Sequence, residues 1–367
     1  MKRGTIILGI AALIAVGILG VGYFLQTQPP VMIEIAVDPL AEAWMRQAVK
    51  DFNDSNVALT NQKRVEVTLT VISDLDVWNA SGTRTWTPQD HPDLWMPGSS
   101  LSINYATGMT LDVLVDSTAR TPLIFGGYAE RINILTDEGA NPLTWDLLAS
   151  AAETASWEAL GGDPSWRFIN YAFSRPDDTI SGLGVLLSAA AEFADTSNLS
   201  ADNLTVSFRD WFEPVVGSVP NFNNVTDNVA QFVAVGGVTR ADVAFGPESQ
   251  WLYQLSALNR SGEIRFSYPA HPFVFNFPLV RWGDPTVAND TRNAEQAFAN
   301  WLMNADQQRA VTRFGLRPAT GALSATDSLF ANAEPYGVQL NPNLDDPIQP
   351  PPISSMQGLL TWFNQQN

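Results

Sequence analysis

The chain of 367 residues contains no cysteine. That excludes disulfide bonds, thiol catalysis and thiolate metal sites. It also excludes the lipid anchor that exported proteins carry on a cysteine behind their signal. Only 2 histidines are present, His91 and His271, each followed by a proline. A histidine-rich zinc site or a Ser–His–Asp hydrolase has almost nothing to draw on. Basic charge is scarce, with 20 Lys and Arg against 38 Asp and Glu and a net charge of −18. After Lys2, the lysines are Lys50 and Lys63. Nucleic acid needs a basic track, and none exists here. An acidic surface also gives no long-range pull on anionic solutes, and it keeps an exported protein soluble. The Gly-Leu-Gly run at 182–184 lacks the third glycine of a dinucleotide fingerprint. There is no internal repeat.

What is present is apolar material in quantity. Hydrophobic residues make up 45% of the chain, with 12 Trp and 19 Phe, enough for two domains or one bilobed body. Lys2 and Arg3 precede a charge-free stretch at 5–24. At ~1.5 Å per helical residue such a stretch just crosses a bilayer core. The positive residues before it place the N-terminus inside and the body outside. We expect an uncleaved anchor followed by a short stalk up to residue 30; a cleaved signal peptide is the alternative.

From there the chain alternates strands and helices. Residues 31–36 read as a strand, ended by the turn Asp38–Pro39. Leu40, Trp44, Ala48, Val49 and Phe52 follow at helical spacing, and Val65, Val67, Leu69 and Val71 alternate as a strand. A strand at 93–96 ends in Pro97, Gly98, Ser99 and Ser100, at the start of another helix. Another at 241–245 ends in Gly246 and Pro247, with Glu248 and Ser249 at its carboxyl edge. Residues 201–228 are irregular and polar. In open α/β sheets, ligands gather at the carboxyl ends of strands.

The stretch 173–194, FSRPDDTISGLGVLLSAAAEFA, organises the rest. It begins as a polar loop, and Leu183, Leu186, Leu187, Ala190 and Ala194 then recur at helical spacing. Thr179, Ser181 and Gly182 are residue types that start helices. A helix start presents unpaired N–H groups and the positive end of the dipole, a suitable wall for a polar ligand.

Five phrases carry a resemblance: AVDPLAEAW at 36–44, PDLWMPGSS at 92–100, SGLGVLLSAAAEF at 181–193, ADVAFGPES at 241–249 and NADQQRAVTRFGLRPAT at 304–320. In this order and spacing the chain resembles the bacterial extracellular solute-binding proteins, in the branch with two α/β lobes and two crossing strands. The resemblance implies a two-lobed periplasmic-binding-protein-like α/β fold behind the N-terminal helix. Residues 31–121 with 272–367 would form one lobe and 122–271 the other, closing on a ligand about the crossing strands. By the same analogy the lining residues are Asp38, Pro39, Ser99, Ser100, Thr179, Ser181, Gly182, Glu248 and Ser249. Trp95, Trp251 or Tyr253 would supply a stacking ring.

The expected function is an extracytoplasmic, membrane-tethered and monomeric receptor. It would capture a small polar solute and hand it to an ABC permease, with no cofactor and no nucleic-acid partner. One alternative is a tethered sensor or assembly protein on the same fold. Another is a glycoside hydrolase using paired carboxylates, with Asp177 and Asp178 opposite Glu248.

Overall fold

The computed structural model describes residues 29–79, 86–154, 156–324 and 326–366. Among the described residues no helix is long and apolar enough to cross a membrane. The expected anchor at 5–24 lies outside them.

Two sheets carry the molecule. The first contains β1 (Val31–Val37), β2 (Val65–Val71), β3 (Leu94–Met96), β4 (Leu111–Val115) and β10 (Leu279–Trp282), in the order β2-β1-β3-β10-β4. β1 runs parallel to β2, with Val31 opposite Val65, and parallel to β3, with Ile35 opposite Leu94. β10 is antiparallel to both of its neighbours. The helix Glu42–Asp54 makes the parallel crossover from β1 to β2. It buries Trp44, Met45, Ala48, Val49 and Phe52, one stripe at helical spacing. Phe52 meets Phe298 and Trp301 edge-on at 5.0 and 5.5 Å, locking this helix to Asn289–Leu302. Burying each such ring contributes about 1.5–3 kcal/mol.

The second sheet is built on β5 (Ala119–Tyr128), with β6 (Tyr171–Ala172), β7 (Val243–Pro247), β8 (Ile264–Ser267), β9 (Val274–Phe275) and β11 (Arg317–Pro318). β5 pairs with β11 at its start, then with β9, then with β7 and β8. Its 10 residues span about 33 Å at ~3.3 Å each, enough to reach from one lobe well into the other. Both faces of its far half are buried, as expected of a strand covered on each side. On one face Phe125, Trp145 and Phe245 meet edge-to-face with centroids 4.6–5.6 Å apart. On the other lie Ile124, Trp251 and Phe266.

The chain passes between the sheets from β4 to β5 and returns from β9 to β10. The two crossings are bonded to each other. Thr118 Oγ1 donates to the Phe277 carbonyl at 2.5 Å, and Asn276 Nδ2 donates to the Asp116 carbonyl at 2.9 Å. Phe277 is fully buried with a left-handed φ of 43°. A bulky residue is strained there, and the Thr118 bond and the surrounding core hold it.

A third passage was not foreseen. The expectation assigned 272–367 to the first lobe. From Arg317 on, however, the chain contacts mostly the second sheet. β11 pairs with β5, and the helix Ser328–Ala333 buries Phe330 in the core around Trp251. The last helix, Ile353–Gln365, sets Phe363 against Phe222 at 4.9 Å. One return contact reaches the first sheet's side, where Tyr105 Oη donates to the Pro351 carbonyl at 2.7 Å.

Candidate functional site

A cleft of about 310 Å³ opens between the two sheets, where strand ends and helix starts converge. On the first sheet's side, β1 ends in Asp38, whose Oδ1 accepts from Leu40 N at 2.9 Å and caps the short turn Pro39–Ala41. Its Oδ2 accepts from Asp74 N at 3.3 Å. Asp74 follows β2 and accepts from Gly98 N, at 3.0 Å to Oδ2, and from Ser102 Oγ at 2.6 Å. The ends of β1, β2 and β3 are thus tied through two carboxylates, exposed by only 2% at Asp38 and 0% at Asp74. Among the described residues no cation pairs with them. Burial pushes Asp38 up to about 6, although hydrogen bonds from the Leu40 and Asp74 amides oppose it. Burial, with Asp38 beside it, pushes Asp74 well above the ordinary carboxylate range. Two carboxyls this close share a proton rather than both ionise.

Three helix starts form the opposite wall. Thr179 caps Ile180–Phe193, its Oγ1 accepting from Gly182 N at 3.0 Å. Asn228 caps Val229–Gly236 through Gln231 N at 2.9 Å. The helix Glu248–Leu258 presents Ser249, Gln250, Tyr253 and Gln254. Gln250 clamps two of these starts, accepting from Val229 N at 3.2 Å and donating to the Asp227 carbonyl at 3.0 Å. Leu40, Ala43, Trp44, Ile180, Phe314 and Leu316 give the cleft its apolar surface. The two sides touch where Ser73 Oγ donates to the Asp178 carbonyl at 2.8 Å. A Cβ on Gly98 would come within 2.8 Å of Ile180 Cγ2, so glycine there permits the close approach.

Of the nine residues expected from the sequence, Asp38, Pro39, Thr179, Ser181 and Ser249 line this cleft. The other four do different work. Ser99 caps the helix Ser100–Tyr105 through Leu101 N. The Ser100 amide donates to Asn276 Oδ1 at 2.9 Å, in the crossing region. Gly182 packs the helix start against backbone, since a Cβ there would lie 2.2 Å from the Ser174 carbonyl. Glu248 is fully buried and turned away from the cleft. Arg317 grips it with two bonds of 2.6 and 2.7 Å, and Tyr268 Oη donates to it as well. Asp177 is likewise engaged, by Arg175 at 3.0 and 2.8 Å. The paired carboxylates imagined for hydrolysis therefore do not face each other. Trp95 and Trp251 are core residues, and Tyr253 is 53% exposed on the wall.

Sequence reading missed Ser73, Asp227, Asn228 and Gln250, and it named Asp178 only in the hydrolase alternative. The pair Asp227–Asn228 did carry a signal, a capping side chain directly ahead of an apolar run, but it stood at the end of a stretch that read as irregular.

No family model matches the sequence, and no curated protein does. Solved structures match in fold. A cyclic alpha-maltosyl-1,6-maltose binding protein from Arthrobacter globiformis is 15% identical with a TM-score of 0.55, over 92% of this chain and 95% of its own. A periplasmic thiamin binding protein is 12% identical with a TM-score of 0.56, over 92% and 96%. Maltose-bound MalE3 of T. maritima is 12% identical with a TM-score of 0.56, over 92% and 95%. The chain has the two-lobed fold of the ABC-transporter solute-binding proteins.

Proposed function

We propose that the protein is an extracytoplasmic receptor that captures a small polar solute between its lobes and delivers it to an ABC importer. The observation that carries this reading is the cleft itself. Its walls come from both sheets, and Ser181, one of its lining residues, is 4% exposed with a hydroxyl that has no hydrogen-bond partner among the described residues. Buried polar groups are normally bonded, so an unpartnered hydroxyl on a residue that lines the cleft is a place for a ligand to bond. The crossings around Thr118 and Phe277 supply the hinge. The fold shared with sugar-binding and thiamin-binding proteins supports a binding role. So does the engagement of Glu248 and Asp177 in ion pairs, which removes the expected pairing of Glu248 with the Asp177–Asp178 loop. The basic start and charge-free stretch at 5–24 would tether the receptor to the membrane, its body outside and monomeric.

Native mass spectrometry of the full chain after mild purification tests this. A retained small molecule that leaves on denaturation supports the receptor. An empty protein that also gains no stability across a panel of sugars, amines, amino acids and oxyanions argues against it. A ligand at a hundred times its dissociation constant adds about 2.7 kcal/mol.

A further inference from the structure

Helix starts attract anions only where their amides are free. At this cleft several of those amides are taken by the chain's own side chains. Leu40 N is held by Asp38, Gly182 N by Thr179, Gln231 N by Asn228, Val229 N by Gln250 and Ser249 N by Thr121. Among the described residues no Arg or Lys lines the cleft. Its formal charges are Asp38, Asp178 and Asp227, from three separate elements. Arg175 lies 3.3 Å from Asp178 but gives its two shortest carboxylate bonds to Asp177. Burial raises Asp38, with repulsion from Asp227 adding to it, and burial raises Asp178, with repulsion from Asp177 and then Asp227 adding to it. On the same wall stands the buried, unpartnered Ser181 hydroxyl. Among the described lining residues the indole, Trp44, is 2% exposed and packed edge-on against Phe277, and the exposed ring on the wall is the single phenol of Tyr253.

We propose that the cleft is built for an alkylammonium solute, its ammonium held among Asp38, Asp178 and Asp227 with Ser181 Oγ as a further acceptor, and its methylene body against Leu40, Ala43 and Ile180. This rests on the receptor reading and names its ligand class. A primary ammonium has three donors and no acceptor, which matches a wall rich in acceptors. An excess of carboxylates around the cleft also raises the local cation concentration and the capture rate.

Four probes separate the possibilities: 1,4-diaminobutane, 1,4-butanediol, succinate and maltose. The first three share a four-carbon chain and differ in charge. Each is titrated into the full-length protein by calorimetry and thermal shift. We expect binding by the diamine, weakened by added salt and weakened about tenfold in Asp227→Asn, equivalent to about 1.4 kcal/mol. Asp227 is exposed, so this variant folds. Diamine affinity unchanged in Asp227→Asn overturns the carboxylate assignment. Binding of the diol, succinate or maltose without the diamine overturns the cation inference and leaves the receptor standing. If all four are silent, the molecule retained in native mass spectrometry decides: a cation supports the proposal and a neutral or anionic solute overturns it. An empty protein removes both readings.

Discussion

Two buried acidic sites lie close to the cleft, and they are built in opposite ways. Glu248 is met by Arg317 through two short bonds and by the Tyr268 hydroxyl, and Arg317 also donates to the carbonyls of Gln339 and Leu340. Among the described residues Asp38 and Asp74 have amides and one hydroxyl as partners, and no cation. The first site neutralises its charge inside the protein and uses it to fasten the tail to the second sheet. The second keeps a shared proton where the first uses an arginine, at a wall facing an open cleft. A carboxylate completed by the chain itself is structural. One left without a cation beside a cavity has room for a partner from outside.

Breaking the first site gives the largest expected effect. In Arg317→Met, Glu248 remains buried with its charge unmatched, and the tail loses its bonds at Gln339 and Leu340. Removing one partner of a buried pair costs about 3–5 kcal/mol. Urea denaturation should show a loss of that size, and limited proteolysis should cut first beyond Pro318. Adding Glu248→Gln should recover a large part, because the stranded charge is gone. A loss below about 1 kcal/mol in the single variant would show that water already reaches Glu248, and the contrast between the sites would collapse.

The second site sharpens the comparison through pH. Burial raises Asp38 to about 6 and Asp74 well above the ordinary range, so the folded state binds protons that the unfolded chain has already lost. A raised carboxyl contributes stability that is fully present below its unfolded value near 4 and is lost as pH climbs through the folded value. Stability from this pair should therefore fall between about pH 4 and pH 6, and further above 6 as Asp74 follows, by at most about 1.4 kcal/mol per pH unit for each extra proton. In Asp74→Asn the amide oxygen keeps the Gly98 and Ser102 bonds and its nitrogen donates to Asp38, so the fold survives and the fall flattens. Other carboxylates titrate in the same range, so the difference between the two stability curves is the measurement. Curves that stay parallel would mean that the pair does not hold the proton.

The division between legible and hidden features has a physical cause. Periodicity and local caps are written in adjacent residues, so the Trp44–Phe52 stripe, the β2 alternation and the Thr179 cap could be read directly. Asp38, Pro39 and Ser249 could be placed at strand ends because that edge follows from the sheet's direction. Arg317 and Glu248 stand 69 positions apart, and no local pattern says that one will swallow the other's charge. Ser99 and Ser100 have the composition of a binding turn, yet one became a cap and the other a neighbour of the crossings. The same residue types serve both purposes. The return of the tail to the second sheet depends on Phe363 and Arg317, each of which meets its partner only in the folded chain.

The smallest effects discriminate most finely, because they set two serines of similar burial against each other. Ser99 is 4% exposed and its hydroxyl caps Leu101 N; Ser181 is also 4% exposed and its hydroxyl has no partner. Replacing a capping serine by alanine costs about 1 kcal/mol. Replacing an unbonded hydroxyl removes a desolvation penalty and costs nothing in the empty protein. Ser99→Ala should therefore lower the melting temperature and leave ligand affinity alone. Ser181→Ala should leave the melting temperature of the empty protein within error or raise it slightly, while weakening capture of whichever solute the native protein retains. Calorimetry and thermal melts on the two single variants separate the effects. If Ser181→Ala destabilised the empty protein as much as Ser99→Ala does, the hydroxyl would already have a partner, and the cleft would lose the buried group that marks it as waiting for a ligand.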